Sequence, residues 1–236
     1  MNGAPTLSIL HIDERVCAVA KPTGVMVHAT NISTDRVFVT DLLAERLGRR
    51  VRAVHRLDRA TSGVLLFALD REAAAELGRQ FSAGAVAKRY LAVVRGWIDD
   101  AGIIDRPLRR RRGPPQPAVT RYRCLARTEL PVAVPPHETA RYSFVEIVPE
   151  TGRRHQIRRH FNGLAHPVVG DVNHGDRRHN RLFRARFGCR RLLLHAQRLT
   201  FGHPTDGRPV TISTDPPEDF RSVTDSLGWS DAKVDG

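Results

Sequence analysis

Short apolar runs, separated by turns of glycine, proline and charged residues, recur along most of the chain. Residues 7–10 and 16–20 predict two strands around a turn, and residues 25–28 predict a third after a Lys-Pro-Thr-Gly turn. Residues 64–68 form an apolar run long enough for one buried strand, and residues 90–97 predict the next strand. We therefore expect the first hundred residues to supply several short strands of a sheet.

Two segments in the same part of the chain carry apolar residues at helical spacing. Residues 40–47 begin with Thr40, which can cap a helix, and are followed by Gly48, which can stop one. Asp70 can cap a second helix over residues 71–81. The apolar residues on one face of this second helix are Ala74, Leu77 and Phe81. Both helices are expected to be packing elements.

The second half of the chain continues the pattern. Residues 118–125 and 141–148 predict two strands, separated by a proline-rich excursion at residues 131–138 with no evident chemistry. A further helix is predicted after the Thr151-Gly152 turn. Its inward-facing residues are expected to be Ile157, Phe161 and Leu164. Residues 214–236 are predicted to form a mobile acidic tail, because the charge balance reverses there.

The formal net charge of the 236-residue chain is +13, and its isoelectric point lies near 11.0. A charge this positive indicates a polyanionic partner. Arginine supplies nearly all of it, because lysine occurs only at Lys21, Lys88 and Lys233. Since the planar guanidinium matches phosphate and stacks on bases, we expect the partner to be RNA.

The three cysteines are odd in number and far apart, which argues against a disulfide framework or a zinc site and fits a reducing cytosol. The first five residues lack the features of a signal peptide, and no apolar run is long enough to span a bilayer. We therefore expect a soluble cytoplasmic protein. Asp171, Asn173 and Asp176 have the spacing of a calcium loop, but the required glycine and glutamate are absent, so no metal is predicted.

The candidate chemistry lies in a polar loop, residues 55–63, directly before the buried run. Asp58 is the only acid of this loop and stands between Arg56 and Arg59. At the edge of a core element, desolvation raises the pKa of a carboxyl group, whereas a nearby guanidinium keeps it ionised. An ionised and partly desolvated carboxylate is suited to act as a nucleophile. The alternative is a solvated turn whose Arg–Asp pair contributes little.

The loop motif His-Arg-Leu-Asp-x-x-Thr-Ser-Gly-Val resembles the catalytic signature of the RluA-type pseudouridine synthases. In that family the aspartate is the nucleophile that isomerises uridine in RNA, and the resemblance places it at Asp58. It also implies that no cofactor is needed and that His55 and Arg56 bind substrate, with Arg56 filling the space that the flipped base leaves. The family's opening motif, Val-Ala-Lys-Pro-x-Gly-x-x-Val-His, begins so early that we expect no N-terminal S4 domain.

A second motif of the same family matches at Lys88-Arg89-Tyr90. Taken alone, a tyrosine at a strand start is a packing residue with its hydroxyl at the surface. By resemblance, Tyr90 instead stacks on the target uracil and helps to move the C5 proton, and Lys88 binds substrate. Because the ordinary pKa of tyrosine is about 10, Tyr90 is a poor base unless a neighbouring charge such as Lys88 lowers its pKa.

The third matching motif is Thr-Gly-Arg-x-His-Gln-Ile-Arg, which ends at Arg158. One arginine in a basic helix could be a surface charge. By resemblance, Arg158 pairs with Asp58 and keeps that carboxylate ionised and oriented. The same motif implies that Ile157 packs against the pocket and that Arg154 binds substrate.

The resemblance implies a single α+β catalytic domain over residues 1–213, with a central mixed, largely antiparallel sheet and flanking helices and loops around an active-site cleft. Residues 191–196 and 201–212 are similar to the family's closing core strand and final hairpin. Stretches at residues 113–123 and 173–181 resemble the tRNA-modifying branch of the family. They imply a tRNA substrate, with the target uridine at position 65, where the T stem meets the acceptor stem. We expect a monomer.

Three alternatives compete with this interpretation. The substrate could be ribosomal RNA, modified by an enzyme of the same family. A non-catalytic RNA-binding protein would explain the charge, but not the presence of Asp58, Tyr90 and Arg158 in family order. A hydrolase with Ser62 as nucleophile is disfavoured, because the glycines that flank a nucleophile elbow are replaced by Ala60 and Val64.

Two arginine-rich stretches have no assigned role. Residues 106–112 are either a solvated loop or a mobile phosphate clamp, and the expected RNA partner favours the clamp. Residues 177–191 either present cations beside aromatic platforms or form a surface helix anchored by Phe183 and Phe187. The sequence does not separate the two interpretations of this second stretch.

Overall fold

The computed structural model describes residues 7–29, 37–110, 112–230 and 232. Arg111, one of the four arginines of the predicted phosphate clamp, lies outside these residues. The chain divides into two compact units. The first contains the described residues up to Lys88 together with residues 196–215, and the second contains residues 89–195 and those from Pro216 onwards. The range predicted as one catalytic domain, residues 1–213, is thus shared between both units.

The described residues form strands and helices in alternation along the chain. The strands are β1 (Ser8–Ile12), β2 (Val16–Lys21), β3 (Arg52–Ala53), β4 (Ser62–Ala68), β5 (Ala87–Arg95), β6 (Ala101–Asp105), β7 (Val119–Leu130), β8 (Ala140–Pro149), β9 (Leu194–Gly202) and β10 (Pro209–Ser213). The helices are α1 (Val39–Leu47), α2 (Arg71–Ala83), α3 (Gln156–Gly163), α4 (Arg177–Phe187) and α5 (Glu218–Ser226). The predicted α+β class, with a mixed sheet and flanking helices, is confirmed.

The first unit is built on a sheet with the strand order β1-β2-β4-β9, in which β3 lies beside β4 and β10 beside β9. The pairs β1–β2, β2–β4, β3–β4 and β9–β10 are antiparallel. All seven residues of β4 are buried, as the continuous apolar run predicts for a strand covered on both faces. The core residues of this unit are Val16, Ala18, Val64, Leu66, Ala68, Ala73, Leu77, Val86, Leu199, Phe201 and Ile212.

Helix α2 begins as predicted, because the side chain of Asp70 accepts a hydrogen bond from the Ala73 amide at 2.8 Å. Helix α1 differs from its prediction at the N-terminus. Its cap residue is Phe38, with no side-chain cap, and Thr40 lies inside the helix. The amides of Val39 and Thr40 donate to the backbone carbonyls of residues 26 and 27, so they need no capping side chain.

The same hydrogen bonds correct a second expectation. Residues 25–28 do not form a strand, and among the described residues Met26 makes a single bridge, to Phe38. Because the carbonyls of residues 26 and 27 accept from the first turn of α1, this segment serves as a backbone cap for the helix. The apolar residues there pack without forming a ladder, and Val27 is buried.

The second unit is built on a sheet with the order β5-β8-β7-β6, and its three neighbouring pairs are antiparallel. The strands predicted at residues 118–125 and 141–148 are present and extend further, as β7 and β8. Strand β6 was not predicted, because acidic residues flank its short apolar run, and in the structure its Ile103 side chain is exposed. The core residues of this unit are Leu91, Val93, Leu130, Val134, Ala140, Tyr142, Phe144, Val169, Phe183, Cys189, Leu193, Phe220, Val223, Leu227 and Trp229.

The helices of the second unit settle three expectations. In α3, Ile157 and Phe161 are buried as predicted, but Leu164 follows the end of the helix and is 39% exposed. In α4, Phe183 is buried in the core, which favours the anchored surface helix. The expectation of a mobile acidic tail over residues 214–236 does not describe α5, because this helix is ordered and Phe220 is buried in the core. No helix in the described part of the chain is long and apolar enough to cross a membrane.

Candidate active site

Asp58 lies in the loop that leads into β4. Leu57 is buried beside it and ties the loop to the core, whereas Asp58 is only partly exposed and Arg56 is exposed. The Thr61 amide donates to the Asp58 carbonyl at 3.0 Å, which closes the loop into a turn. The loop therefore fixes the backbone of Asp58 at the end of a fully buried strand.

A second turn, residues 21–25, is hydrogen-bonded to the Asp58 loop. The side chain of Lys21 is 1% exposed, and its ammonium group donates to the carbonyls of Pro22, Val25 and Arg59 at 2.7, 2.8 and 3.1 Å. The Gly24 amide also donates to the Arg59 carbonyl at 2.8 Å, and the Arg59 guanidinium returns a bond to the Gly24 carbonyl at 2.9 Å. The backbone that follows Asp58 is thus fixed by a buried cation.

Two further contacts fix the Asp58 loop: a hydrogen bond from Thr23 and the close packing of Gly63 against β9. The Thr23 hydroxyl donates to the Ala60 carbonyl at 2.8 Å. Gly63, at the start of β4, has φ +122°, and a Cβ atom there would lie 2.1 Å from the Ala196 carbonyl oxygen. Only glycine can therefore stand at this position of the motif without moving β9. Ser62, the nucleophile of the hydrolase alternative, is a buried residue of β4.

His55 is engaged inside the first unit. Its Nε2 atom accepts a hydrogen bond from the Leu66 amide at 2.9 Å, and its ring stacks on Phe81 with 4.7 Å between centroids. Burial, together with the nearby charge of Lys88, lowers the pKa of His55 to about 3. The ring is therefore neutral, and its acceptor atom supports β4. A role for His55 in substrate binding stays a prediction.

Tyr90 lies in β5, opposite Ile147 of β8, and is partly exposed. Its neighbour Arg89 forms an ion pair with Glu146 at 3.1 Å, and Arg123 approaches the same carboxylate at 3.5 Å. The start of β5 is thus held against β7 and β8 by charged groups. This places a phenol on a fixed strand, but its contact with a uracil stays a prediction, as does the role of Lys88.

Arg158 is buried in α3 and forms a two-point ion pair with Asp171. The Arg158 Nε atom lies 2.6 Å from one Asp171 oxygen, and Nη2 lies 2.8 Å from the other. The two residues are 4% and 2% exposed. Burial raises the pKa of Asp171, but the hydrogen bonds from Arg158 and from the amides of His174 and Asn173 outweigh it and hold that pKa below its ordinary value.

A family model described as RNA pseudouridylate synthase matches residues 15–163, a range that contains the Asp58 loop, Tyr90 and Arg158. The chain belongs to this family. Its relatives include proteins named tRNA pseudouridine synthase C. That of Salmonella typhi is 43% identical over 94% of this chain and 90% of its own length. That of Vibrio cholerae is 42% identical over 96% and 98%.

A third relative with the same name, from Pectobacterium carotovorum, is 43% identical over 97% of this chain, which spans only 64% of that protein's length. The solved structures that share the fold include two human proteins. Human RNA pseudouridylate synthase domain containing 4 aligns with a TM-score of 0.73 and 26% identity, over 93% of this chain and 92% of that one. Human RNA pseudouridylate synthase domain containing 1 aligns with a TM-score of 0.70 and 30% identity, over 90% and 84%.

In this pseudouridine synthase the start of α3 is tied to β7 through Gln156. The Gln156 amide group donates to the Val119 carbonyl and the Thr120 hydroxyl, and its oxygen accepts from Arg153 and Thr151. Ile157 is buried directly after it, and Arg154 is exposed in the preceding turn. Arg158 is thus oriented by its helix as well as by its carboxylate partner. The substrate contacts of Ile157 and Arg154 stay predictions.

The predicted catalytic residues fall on both units. Asp58 belongs to the first unit, whereas Tyr90 and Arg158 belong to the second. The pairing of Arg158 with Asp58 stays a prediction. Sequence reasoning missed two residues, Asp171 as a partner of Arg158 and Lys21 as the anchor of the Asp58 loop. Lys21 lies in the family's opening motif, which the resemblance had already marked, whereas Asp171 was considered only for its calcium-loop spacing.

The arginine-rich loop after β6 is held at its base and open at its tip. Leu108 and Gln116 exchange two backbone hydrogen bonds of 2.9 and 3.0 Å, and Leu108 is buried. Arg109, Arg110 and Arg112 are exposed beyond this bridge. The loop therefore presents cations to solvent. Over the described ranges, no three His, Cys, Asp or Glu side chains gather closely enough to hold a metal ion.

Proposed function

We propose that this pseudouridine synthase acts on tRNA and converts uridine 65 to pseudouridine, with Asp58 as the nucleophile. The observation that carries the proposal is the Asp58 signature on its anchored loop, in a chain about 43% identical to tRNA pseudouridine synthase C of Salmonella typhi over nearly its whole length. The net charge of +13 fits an RNA substrate. The soluble, cytoplasmic setting and the monomeric state expected from the sequence belong to the same proposal.

The isomerisation rearranges bonds within one nucleotide. The bond between C1′ of the ribose and N1 of the uracil breaks, the base turns over, and a bond from C1′ to C5 forms while the C5 proton leaves and N1 gains one. Asp58 acts as a nucleophile at C1′ of the sugar or at C6 of the base. Because atoms and electrons balance within the nucleotide, the reaction needs no cofactor.

The other site residues are assigned supporting roles. Tyr90 stacks on the uracil and assists removal of the C5 proton. Arg158 keeps Asp58 ionised, since its guanidinium carries a fixed charge and is itself oriented by Asp171. Arg56 is exposed in the loop and occupies the space that the flipped uridine leaves.

The exposed arginines of the loop after β6 are proposed to bind phosphates of the same RNA. Arg109, Arg110 and Arg112 extend beyond the Leu108–Gln116 bridge, where guanidinium groups are free to match phosphate oxygens. This assigns the arginine-rich loop to binding and leaves the chemistry to Asp58.

The experiment that tests the function is pseudouridine mapping in a strain that lacks the gene, complemented with the wild type or with Asp58→Asn. We expect pseudouridine at tRNA position 65 to vanish in the deletion strain and to return only with the wild type. Loss confined to a ribosomal RNA position would replace the tRNA substrate by rRNA. An unchanged pseudouridine map would contradict the enzyme assignment and favour an RNA-binding protein.

A further inference from the structure

The proline-rich excursion at residues 131–138 and the start of α4 both contribute residues to one groove of the second unit. It has a volume of about 600 Å³, within the usual range for binding pockets. Its lining includes residues of the proline-rich excursion, among them Pro135 and His137. The others that matter here are Trp97, Arg141 and Arg178. We call this the Trp97 groove.

Trp97 gives the groove an exposed aromatic surface. Its side chain is 44% exposed, although its Nε1 atom donates to the Thr128 carbonyl at 3.0 Å. The guanidinium of Arg141 lies 4.3 Å from the centre of its ring. The same guanidinium is fixed by Glu129 at 3.1 Å. Trp97 and Arg141 thus form a paired planar surface of the kind on which nucleobases stack.

The backbone beneath this surface is fixed before any ligand binds. The Gly96 amide donates to the Arg141 carbonyl at 2.6 Å, and the Ser143 hydroxyl donates to the Gly96 carbonyl at 2.8 Å. Gly96 has φ +84°, and a Cβ there would lie 2.8 Å from the His166 ring. A platform that is already ordered loses little conformational entropy on binding.

Helix α4 leads away from the groove with a row of cations. Arg178 lines the groove and is held there by the carbonyl of Pro135. Arg177, Arg181 and Arg184 follow at positions i, i+4 and i+7, so they share one face, and all three are exposed. Helix α4 contains no acidic residue. A polyanion that enters the groove therefore finds further cations along this helix.

We propose that the Trp97 groove binds an unpaired nucleotide of the substrate RNA, stacked on Trp97 and Arg141, while neighbouring phosphates contact Arg178 and the exposed arginines of α4. An aromatic platform beside a cationic row is the arrangement that binds single-stranded RNA. The partner is identified as RNA because charge and stacking surface occur together; an acidic peptide would use only the charge. This inference rests on the proposed function for the identity of the RNA.

The fluorescence of Trp97 itself can report whether RNA covers the groove. The chain has only two tryptophans, and Trp229 is 5% exposed and stacks on Phe144. In a Trp229→Phe variant, Trp97 is therefore the only fluorescent indole. We expect a tRNA transcript at saturation to reduce acrylamide quenching of Trp97 at least twofold. Unchanged quenching while filter binding shows the complex would overturn the proposal. Protection by polyglutamate but not by tRNA would overturn the choice of RNA.

A second measurement uses the native tryptophans and covers the case in which Trp229→Phe fails to fold. Trp97→Ala should weaken tRNA binding by about tenfold, and Trp97→Phe should retain most of it. Replacing Arg178 and Arg181 by Ala should lower the slope of log K against log salt by about one to two. Arg221→Ala is the matched control, because this exposed arginine of α5 pairs with Glu218 and does not line the groove.

The two proposals can fail separately. If Trp97→Ala and the double arginine variant bind tRNA as tightly as the Arg221→Ala control, the groove proposal is wrong even if pseudouridine forms normally. If tRNA protects Trp97 but no pseudouridine appears, the groove proposal stands and the proposed function is wrong.

Discussion

The loop of Asp58 and the helix of Arg158 are fixed by opposite means. In the first unit, a buried ammonium group, Lys21, binds three backbone carbonyls around the loop, and Asp58 remains partly exposed. In the second unit, the charged side chain of Arg158 is itself buried and balanced by the buried carboxylate of Asp171. The first arrangement positions a backbone, and the second positions a charge.

This difference predicts different responses to substitution. When one member of a buried ion pair is lost, its partner is left as an unpaired buried charge, and the whole unit is destabilised. When Lys21 is lost, three backbone carbonyls lose their hydrogen-bond donor, and only the Asp58 loop should become less ordered. Arg158→Ala should therefore lower stability as well as turnover, whereas a substitution of Lys21 should act mainly on turnover.

The largest effect is expected from Arg158→Ala. It leaves Asp171 buried without its guanidinium, and we expect a loss of about 3–5 kcal/mol in the free energy of unfolding at neutral pH, measured by urea denaturation. Arg159→Ala, on the same helix but with a partly exposed side chain, should change stability by less than about 0.5 kcal/mol. Equal losses in both variants would contradict the special role of the Arg158–Asp171 pair.

The pH dependence of this loss has a definite sign. In the wild type the Asp171 pKa is lowered, so its contribution to stability is present above the ordinary pKa and disappears as the pH falls through the lowered one. In Arg158→Ala the guanidinium no longer opposes burial, so the Asp171 pKa should rise, and protonation relieves the buried charge. The difference between variant and wild type should therefore shrink as the pH is lowered from 7 towards 4. A constant difference would exclude this explanation.

Lys21→Met should have a smaller effect on stability and a larger one on turnover. Removing the donor to three carbonyls should cost about 1.5–3 kcal/mol, and the Asp58 loop should lose its fixed position. We expect kcat for pseudouridine formation to fall at least tenfold, with RNA binding within about twofold of wild type. Thr23→Val removes only the bond to Ala60 and should have the weaker effect. Full activity in Lys21→Met would show that the loop does not need its anchor.

Asp13 offers a control in the first unit. Burial raises the pKa of Asp13, but bonds from His11, the amides of Arg15 and Val16, and His203 lower it to about 2. Its contribution to stability should be present above about pH 4 and disappear as the pH falls to about 2. Asp13→Asn should therefore cost about 1 kcal/mol at pH 7, and this cost should disappear as the pH falls through about 2. Turnover per folded molecule should not change; a fall would mean that this turn also serves the site.

The smallest effect is expected from the arginine-rich loop. Replacing Arg109, Arg110 and Arg112 by Ala should leave stability unchanged, because all three are exposed, and should weaken RNA binding by about tenfold at moderate salt. The slope of log K against log salt should become shallower, since fewer counterions are released. An unchanged slope would return this loop to a solvated role.

Features decided by neighbouring residues were predictable from the sequence. The buried strand β4, the Asp70 cap of α2 and the position of Asp58 at a strand entrance all follow from local pattern. Features decided by distant contacts were not. Residues 25–28 have the pattern of a strand, but the carbonyls of residues 26 and 27 accept hydrogen bonds from α1. The sequence around α5 is acidic, which predicts an exposed tail, but Phe220 and Trp229 are buried in the core.

The candidate site shows the same division. Asp58, Tyr90 and Arg158 were proposed from motifs, because each motif is a local string. The partner of Arg158 was not, since Asp171 lies 13 residues further on and is brought to α3 only by the fold. Lys21 and Arg59 are 38 residues apart. In both cases the partners lie far apart in the sequence, and only the fold brings them into contact.

The most direct test of the central claim is single-turnover pseudouridine formation by Asp58→Asn on a tRNA transcript. An amide can neither attack as a nucleophile nor carry the charge, so we expect the rate to fall below about a thousandth of the wild-type rate. The affinity for tRNA and the urea midpoint should stay near those of the wild type. A rate above that level, with tRNA bound and the protein folded, would contradict the assignment of Asp58 as the nucleophile.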